Sequence, residues 1–207
     1  MRFTAMYDEK YYQQYSRLST RAREFRVKFT LNLAEVSGKK PLKVLDLGCG
    51  DGIYSEALMK LGHTVVSMDI SKEALCLSKE RGIMNLIQGS ASHLPYKPYT
   101  FDRVLFIDVF EHLKKPTKAL SDIRRTLRLR GLLILSTLYP SILGRHIYSR
   151  DPTHQKLYTV EELLGLLHLT DFKNTYTTVT SFLPGLYPFN IFLRRLFKTI
   201  TMTRARK

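Results

Sequence analysis

The 207-residue sequence has no tryptophan and only two cysteines, Cys49 and Cys76. Two thiols so spaced build neither a disulfide framework nor a metal site, and reduced thiols are the default expectation. No stretch approaches the roughly 18–20 consecutive apolar residues that a membrane-spanning helix needs. The stretch from Met1 to Glu9 has no long apolar segment, so no cleaved signal peptide is expected and the protein is expected in the cytoplasm. Repeats, low-complexity tracts and obvious linkers are also missing, which suits one domain over residues 1–207. Acid is scarce: 18 Asp and Glu stand against 33 Lys and Arg, a net charge of +15. The excess is concentrated. Lys114, Lys115, Lys118, Arg124, Arg125, Arg128 and Arg130 face one acid, Asp122, while Arg194, Arg195, Lys198, Arg204, Arg206 and Lys207 have none. Patches of this kind attract nucleic acid, anionic lipid or an anionic substrate, or they serve as a solvated, soluble surface.

What the chain does have is glycine in the right place. Val44 to Gly52 reads Val-Leu-Asp-Leu-Gly-Cys-Gly-Asp-Gly, an apolar run followed by glycines at 48, 50 and 52. A helical stretch, Ile53 to Leu61, comes next. This is a strand, a tight loop and a helix N-terminus, where backbone approaches a ligand with no Cβ in the way. The dinucleotide fingerprint puts its third glycine five residues after the first, and here that position is Ile53. A second apolar run, Thr64 to Ile70, carries Asp69 twenty-one positions after Gly48. A carboxylate at that distance is placed to accept hydrogen bonds from a ribose diol and to repel a 2′-phosphate. Together the two features point to a nucleoside ligand.

The rest of the pattern alternates. Tyr11, Tyr15, Leu18, Ala22, Phe25, Phe29 and Leu33 recur every three or four residues, so 6–36 is predicted helical with that apolar face inward. Strands are predicted at 43–47, 65–69, 86–88, 103–107 and 132–137, and helices at 53–61, 72–81 and 117–129. Such alternation gives a doubly wound α/β fold with a mostly parallel sheet. Residues 1–40 form an N-terminal helical cap, 41–140 a binding core, and 141–207 a substrate-side and C-terminal segment. Within that segment a helix opens near Thr159, a strand follows at 172–179, and an amphipathic helix with a basic face runs from Phe189 through Ile200. Asp46, Asp69, Ser90 and Asp108 all fall at predicted strand ends, where ligands of such sheets bind.

Three further segments carry a family resemblance. Leu94 to Leu113 joins a Leu-Pro, a Phe-Asp opening a strand, and Asp-Val-Phe-Glu-His-Leu closing it; Arg125 to Thr137 supplies helix, turn and fifth strand. With the glycine loop, these resemble the class I S-adenosylmethionine (SAM)-dependent methyltransferases, in the small-molecule, type 11 branch that methylates quinone precursors and other lipid or natural-product acceptors. The resemblance implies a Rossmann-like sheet with SAM as cofactor. It implies that Asp46 and the backbone of Gly48, Cys49 and Gly50 meet the methionine portion. Asp69 would hold the ribose hydroxyls, Ile70 would pack on adenine, and Ser90 and Ala91 would meet the adenine edge. Asp108 would lie beside the methionyl group, and Tyr11 and Tyr15 would close over the cofactor. The family usually has Asp where Ser90 stands, and Pro-Gly-Gly where this chain has Leu129-Arg130-Gly131.

A hydroxyl acceptor needs a general base, for which histidine is suited. His112, in Glu111-His112, and His154, in Asp151-Pro-Thr-His, are the candidates. Asp108, Glu111 and His112 also have the chemistry to gather a divalent ion, but their spacing is weak evidence and no metal is assigned. The leading expectation is methyl transfer to oxygen or carbon of a small or lipid-linked acceptor, with the basic tail helix meeting an anionic membrane surface as a peripheral contact. An RNA methyltransferase using the basic patches, and a non-catalytic SAM-binding protein, remain the alternatives.

Overall fold

Five apolar runs become parallel strands: β1 (Lys43–Leu47), β2 (Thr64–Asp69), β3 (Leu86–Gln88), β4 (Phe101–Ile107) and β5 (Leu127–Leu138). Two more, β6 (Lys173–Thr180) and β7 (Ile200–Arg206), complete one sheet in the order β3-β2-β1-β4-β5-β7-β6. The computed structural model describes residues 20–38, 40–180 and 200–207. β7 lies antiparallel to both β5 and β6; the other pairings are parallel. The order reverses between β1 and β4, which opens a crevice at their carboxyl ends.

Helices α1 (Thr20–Leu33), α2 (Ile53–Lys60), α3 (Lys72–Glu80), α4 (Pro116–Thr126), α5 (Ile142–Ser149) and α6 (Val160–Leu169) connect or cover the strands. Strand side chains alternate between the two faces, so each central strand feeds two cores. Leu45, Leu47, Val104, Phe106, Leu133 and Leu135 enter one, with Ala119, Leu120 and Ile123 of α4 and Leu163 and Leu167 of α6. Val44, Leu105, Ile107, Leu132 and Ile134 enter the other, with Leu31 of α1 and Leu58 of α2. Ser71 caps α3 by accepting from the Ala74 amide, and Thr159 and Glu162 form a capping box on α6.

Three expectations are corrected. The helix predicted over 117–129 stops at Thr126, because Leu127 already pairs with Phe101 of β4. Leu132 then pairs with Arg103, so five steps on β5 oppose two on β4 and the expected turn becomes a bulge within the strand. Arg130 sits at its tip with φ 62° and Leu129 projects outward. The helix expected through Ile200 is β7 from that residue onward; the alternating Thr201, Thr203 and Met202 fill the space between β5 and β6. Arg204 and Arg206 of β7 pair with Glu35, so they form no lipid-facing helix. The remainder of that predicted helix, 189–199, lies outside the described residues.

The third correction is Phe25 on α1. The expected face holds at Ala22, which is buried, and at Phe29 and Leu33, which pack against the core, but Phe25 is 53% exposed, and Arg23 and Arg26 reach inward. Finally, 142–149 forms a short helix that weak periodicity concealed, capped by Ser141 on the Gly144 amide. Among the described residues, no helix is long and apolar enough to cross a membrane.

Candidate functional site

The loop after β1 turns through three glycines at positive φ: Gly48 at 76°, Gly50 at 54° and Gly52 at 78°. The amides of Gly48 and Cys49 both donate to the Met68 carbonyl, fastening the loop to β2. A Cβ on Gly48 would stand 2.2 Å from Cγ2 of Val109, which follows β4 across the crevice. Glycine is needed here for both conformation and space. Gly48→Ala is expected to cost about 2–4 kcal/mol, from left-handed strain plus overpacking, read as a lower urea midpoint with an unchanged slope.

Asp69 ends β2, nearly sequestered from solvent at 7% exposure. One carboxylate oxygen accepts from the Gly50 amide at 2.9 Å and the other from the Ser71 amide at 2.9 Å. Burial pushes its pKa up against those amide bonds. The Ile70 amide also bonds to this carboxylate, which keeps acceptor capacity for a hydroxyl donor. Ile70 is half-buried beside it, and the Asp69 carbonyl accepts from Gly89, which leads into Ser90 and Ala91. The expected adenosine-side residues are therefore brought together, and the glycine loop, diol acceptor and half-buried flank fit an adenosyl group.

Asp46 lies in β1, one residue before its end. It is buried under the loop, where the Ser55 hydroxyl of α2 donates to it at 2.6 Å and also meets Ser67 at 2.6 Å. Its described contacts tie α2 to β1 and β2. Burial lifts its pKa from 3.8 to about 7, with Ser55 opposing. Because the folded pKa is the higher one, its contribution is full at acid pH and is lost as pH rises from about 4 through 7. The stability of Asp46→Asn relative to wild type should therefore rise by about 2–3 kcal/mol between pH 5 and pH 8 in urea titrations. Cys49 is also buried, its thiol toward Ser78 of α3 at 3.7 Å, and burial raises its pKa.

Across the crevice, Asp108 takes φ 54°, unusual for a residue with a side chain. Ser136 of β5 holds it by donating to its carboxylate at 2.7 Å, and Arg26 of α1 pairs with its other oxygen. Burial works to raise its pKa, yet Arg26 and Ser136 keep the carboxyl below its usual range. Arg23 pairs with Asp51 in the glycine loop, which Arg81 also contacts at 2.8 Å. α1 thus bridges both sides of the crevice. Sequence reasoning missed this role; the signal was two arginines three residues apart, on one helical face. Tyr11 and Tyr15 lie outside the described residues.

Beyond Val109 a short turn of 3₁₀ helix, Phe110–His112, carries Glu111 and His112 into the interior. Thr137 donates to Glu111 at 3.0 Å; burial, then Asp108, pushes the Glu111 pKa up. Residues 151–156 fold onto this turn, with the Gln155 and Lys156 amides donating to the Glu111 carbonyl at 2.8 and 3.3 Å. His154 thereby meets His112, ring centroids 4.6 Å apart, while its Nδ1 donates to the Tyr148 carbonyl at 3.0 Å. Burial, then His154, drives the His112 pKa down to about 4. The two histidines, 42 positions apart in sequence, share one site. Glu111, His112 and His154 bring one ligand atom each within 4.8 Å of the others, a set that suits a divalent ion as well as proton transfer.

Comparison with known proteins agrees with this geometry. Residues 45–135 match the family described as a methyltransferase domain. The mitochondrial ubiquinone biosynthesis O-methyltransferase of Schizosaccharomyces pombe is 35% identical over 117 residues, 53% of this chain and 41% of that protein. The chain thus spans less than half the length of that relative. An uncharacterised protein of Methanocaldococcus jannaschii is 34% identical over 161 residues, 76% of this chain and 67% of the relative. A SAM-dependent methyltransferase from Archaeoglobus fulgidus has the same fold: TM-score 0.79 at 19% identity, covering 97% of this chain and 100% of that one. With the glycine loop, the acid ending β2 and the sheet order on the same chain, the protein belongs to the class I SAM-dependent methyltransferases, in their type 11 branch.

Proposed function

We propose that the protein transfers a methyl group from SAM to a hydroxyl oxygen of a small or lipid-linked acceptor. The observation that carries this reading is the buried His112–His154 pair, set one short turn beyond Val109, the residue packed against Gly48. Bound SAM supplies a methyl group already activated on a sulfonium. What remains for the chain is alignment and proton removal. Gly48 and Gly50 let the loop backbone approach the cofactor, and Asp69 fixes the ribose, so the methyl direction is set before the acceptor arrives. His112 and His154 then face the acceptor oxygen. As that oxygen gains a third bond its proton becomes strongly acidic, so an imidazole with a pKa near 4 still accepts it.

An oxygen acceptor of quinone-precursor type is favoured by the S. pombe relative, whose name places it in ubiquinone biosynthesis. Several cations of the first basic cluster pair with acids of this chain: Arg124 contacts Asp171, Arg125 meets Asp122, and Arg128 meets Asp102. A lipid-surface contact through Arg194, Arg195 and Lys198 rests on residues outside those described. Incubation with methyl-labelled SAM and separate quinol, lipid and tRNA pools tests the reading. Label in the quinol or lipid pool is expected; label in tRNA alone, or in none, overturns it.

A further inference from the structure

The loop that delivers His154 also reaches His112 by a second route. Thr153 Oγ1 lies 2.7 Å from His112 Nδ1 and 2.5 Å from Asp151 Oδ1. A threonine hydroxyl has a single proton to give, so only one of these contacts can be its donation. Asp151 decides which. Burial works against its charge, but the Thr153 hydroxyl and amide outweigh that and hold its carboxyl below the usual range. An ionised carboxylate only accepts. The hydroxyl proton therefore goes to Asp151, and the hydroxyl oxygen must accept from His112 Nδ1–H.

The chain of contacts is rigidly held. The Thr153 amide donates to the same Asp151 oxygen at 2.8 Å, and the His154 amide donates to the Asp151 carbonyl at 3.3 Å. The two amides on the Glu111 carbonyl pin the loop to the turn that carries His112. Thr153, His112 and His154 are all at least nine-tenths buried, so water does not compete readily for these bonds. The groups facing His112 include His154, Asp151, Asp108, Thr153 and Glu111. A base oriented by a hydrogen-bonded partner, itself backed by a carboxylate, follows the logic of a catalytic triad.

We propose that Thr153 and Asp151 are positioning residues that lock the His112 imidazole as its Nδ1–H tautomer and leave Nε2 as the nitrogen that accepts the acceptor's hydroxyl proton. The assignment rests on the methyl-transfer reading above for its chemistry, and on hydrogen-bond geometry for the tautomer. In the step itself, an oxygen lone pair of the acceptor forms the new bond to the methyl carbon. The carbon–sulfur pair returns to sulfur, and the hydroxyl proton moves to Nε2. The imidazolium charge that results is faced by Asp151 through the Thr153 hydroxyl. Burial disfavours that charge, and the Asp151 contact counters the penalty.

The tautomer can be observed without cofactor or acceptor. Long-range proton–nitrogen correlation spectra of histidine-labelled protein at pH 7 distinguish the two ring forms, with His112→Gln identifying the His112 signals. Wild type is expected as Nδ1–H, Thr153→Ser the same, and Thr153→Val shifted toward Nε2–H. With methyl-labelled SAM and the quinol pool, Thr153→Val should lose roughly 10–100-fold in turnover, as loss of an orienting contact to a functional histidine does, at unchanged SAM affinity. Thr153→Ser should restore it. A wild-type Nε2–H signal, or a Thr153→Val spectrum identical to wild type, overturns the assignment. Failure of methyl transfer with the tautomer result intact would overturn the functional reading alone.

Discussion

Asp69→Ala is expected to weaken SAM binding by about 100-fold, roughly 3 kcal/mol. Two losses combine. The ribose diol loses a charged acceptor, and hydrogen bonds to charged groups are worth about 1.5–3 kcal/mol each. The amides of Gly50 and Ser71 also lose the carboxylate oxygens that now receive them. Titration calorimetry measures the sum, and Asp69→Asn separates the parts. Its amide retains one acceptor oxygen but turns an N–H₂ toward a backbone N–H, so an intermediate affinity is expected. An Asp69→Ala variant that folds and binds SAM as tightly as wild type would remove this residue from the site.

His112→Ala is expected to slow turnover by about 100-fold, the lower end for loss of a general base, while SAM affinity changes less than about twofold. The lower end follows from the depressed pKa of this imidazole, which makes it a weak base. The same depression has a pH consequence. With its pKa held down to about 4 by burial, His112 itself should contribute no protonation-linked loss of turnover between pH 7 and 5. A full rate in the alanine variant would end its role. A rate abolished by chelator and restored by a divalent ion would instead reassign Glu111, His112 and His154 to a metal centre.

The sequence was most informative where local chemistry and long-range structure coincide. The central parallel strands β1, β2 and β4 were legible because both their faces are covered, which writes them as nearly continuous apolar runs. Gly48, Gly50 and Asp69 were legible because their spacing is set by one strand–loop–helix–strand unit. The Thr153–His112 contact was not, since 41 residues separate the partners and only the folding of 151–156 onto Glu111 joins them. Phe25 of α1 was misread for a related reason. Apolar periodicity put it inside with Phe29 and Leu33, but Arg23 and Arg26, which pair across the crevice, take the inward positions beside it. The last strand was hidden by its threonines and arginines, polar residues that follow directly on a helical pattern upstream.

The interleaving of β7 between β5 and β6 also bears on how this chain reaches its native state. Among the described residues β6 hydrogen-bonds to no strand except β7, so residues 173–180 join the sheet through 200–206. Ordering by such distant pairings slows folding, because loop-closure entropy must be overcome before any contact compensates it. Until then the β5 edge, with Leu133 and Leu135 behind it, is a template for another polypeptide. Refolding yield should therefore fall as protein concentration rises, through intermolecular pairing at that strand.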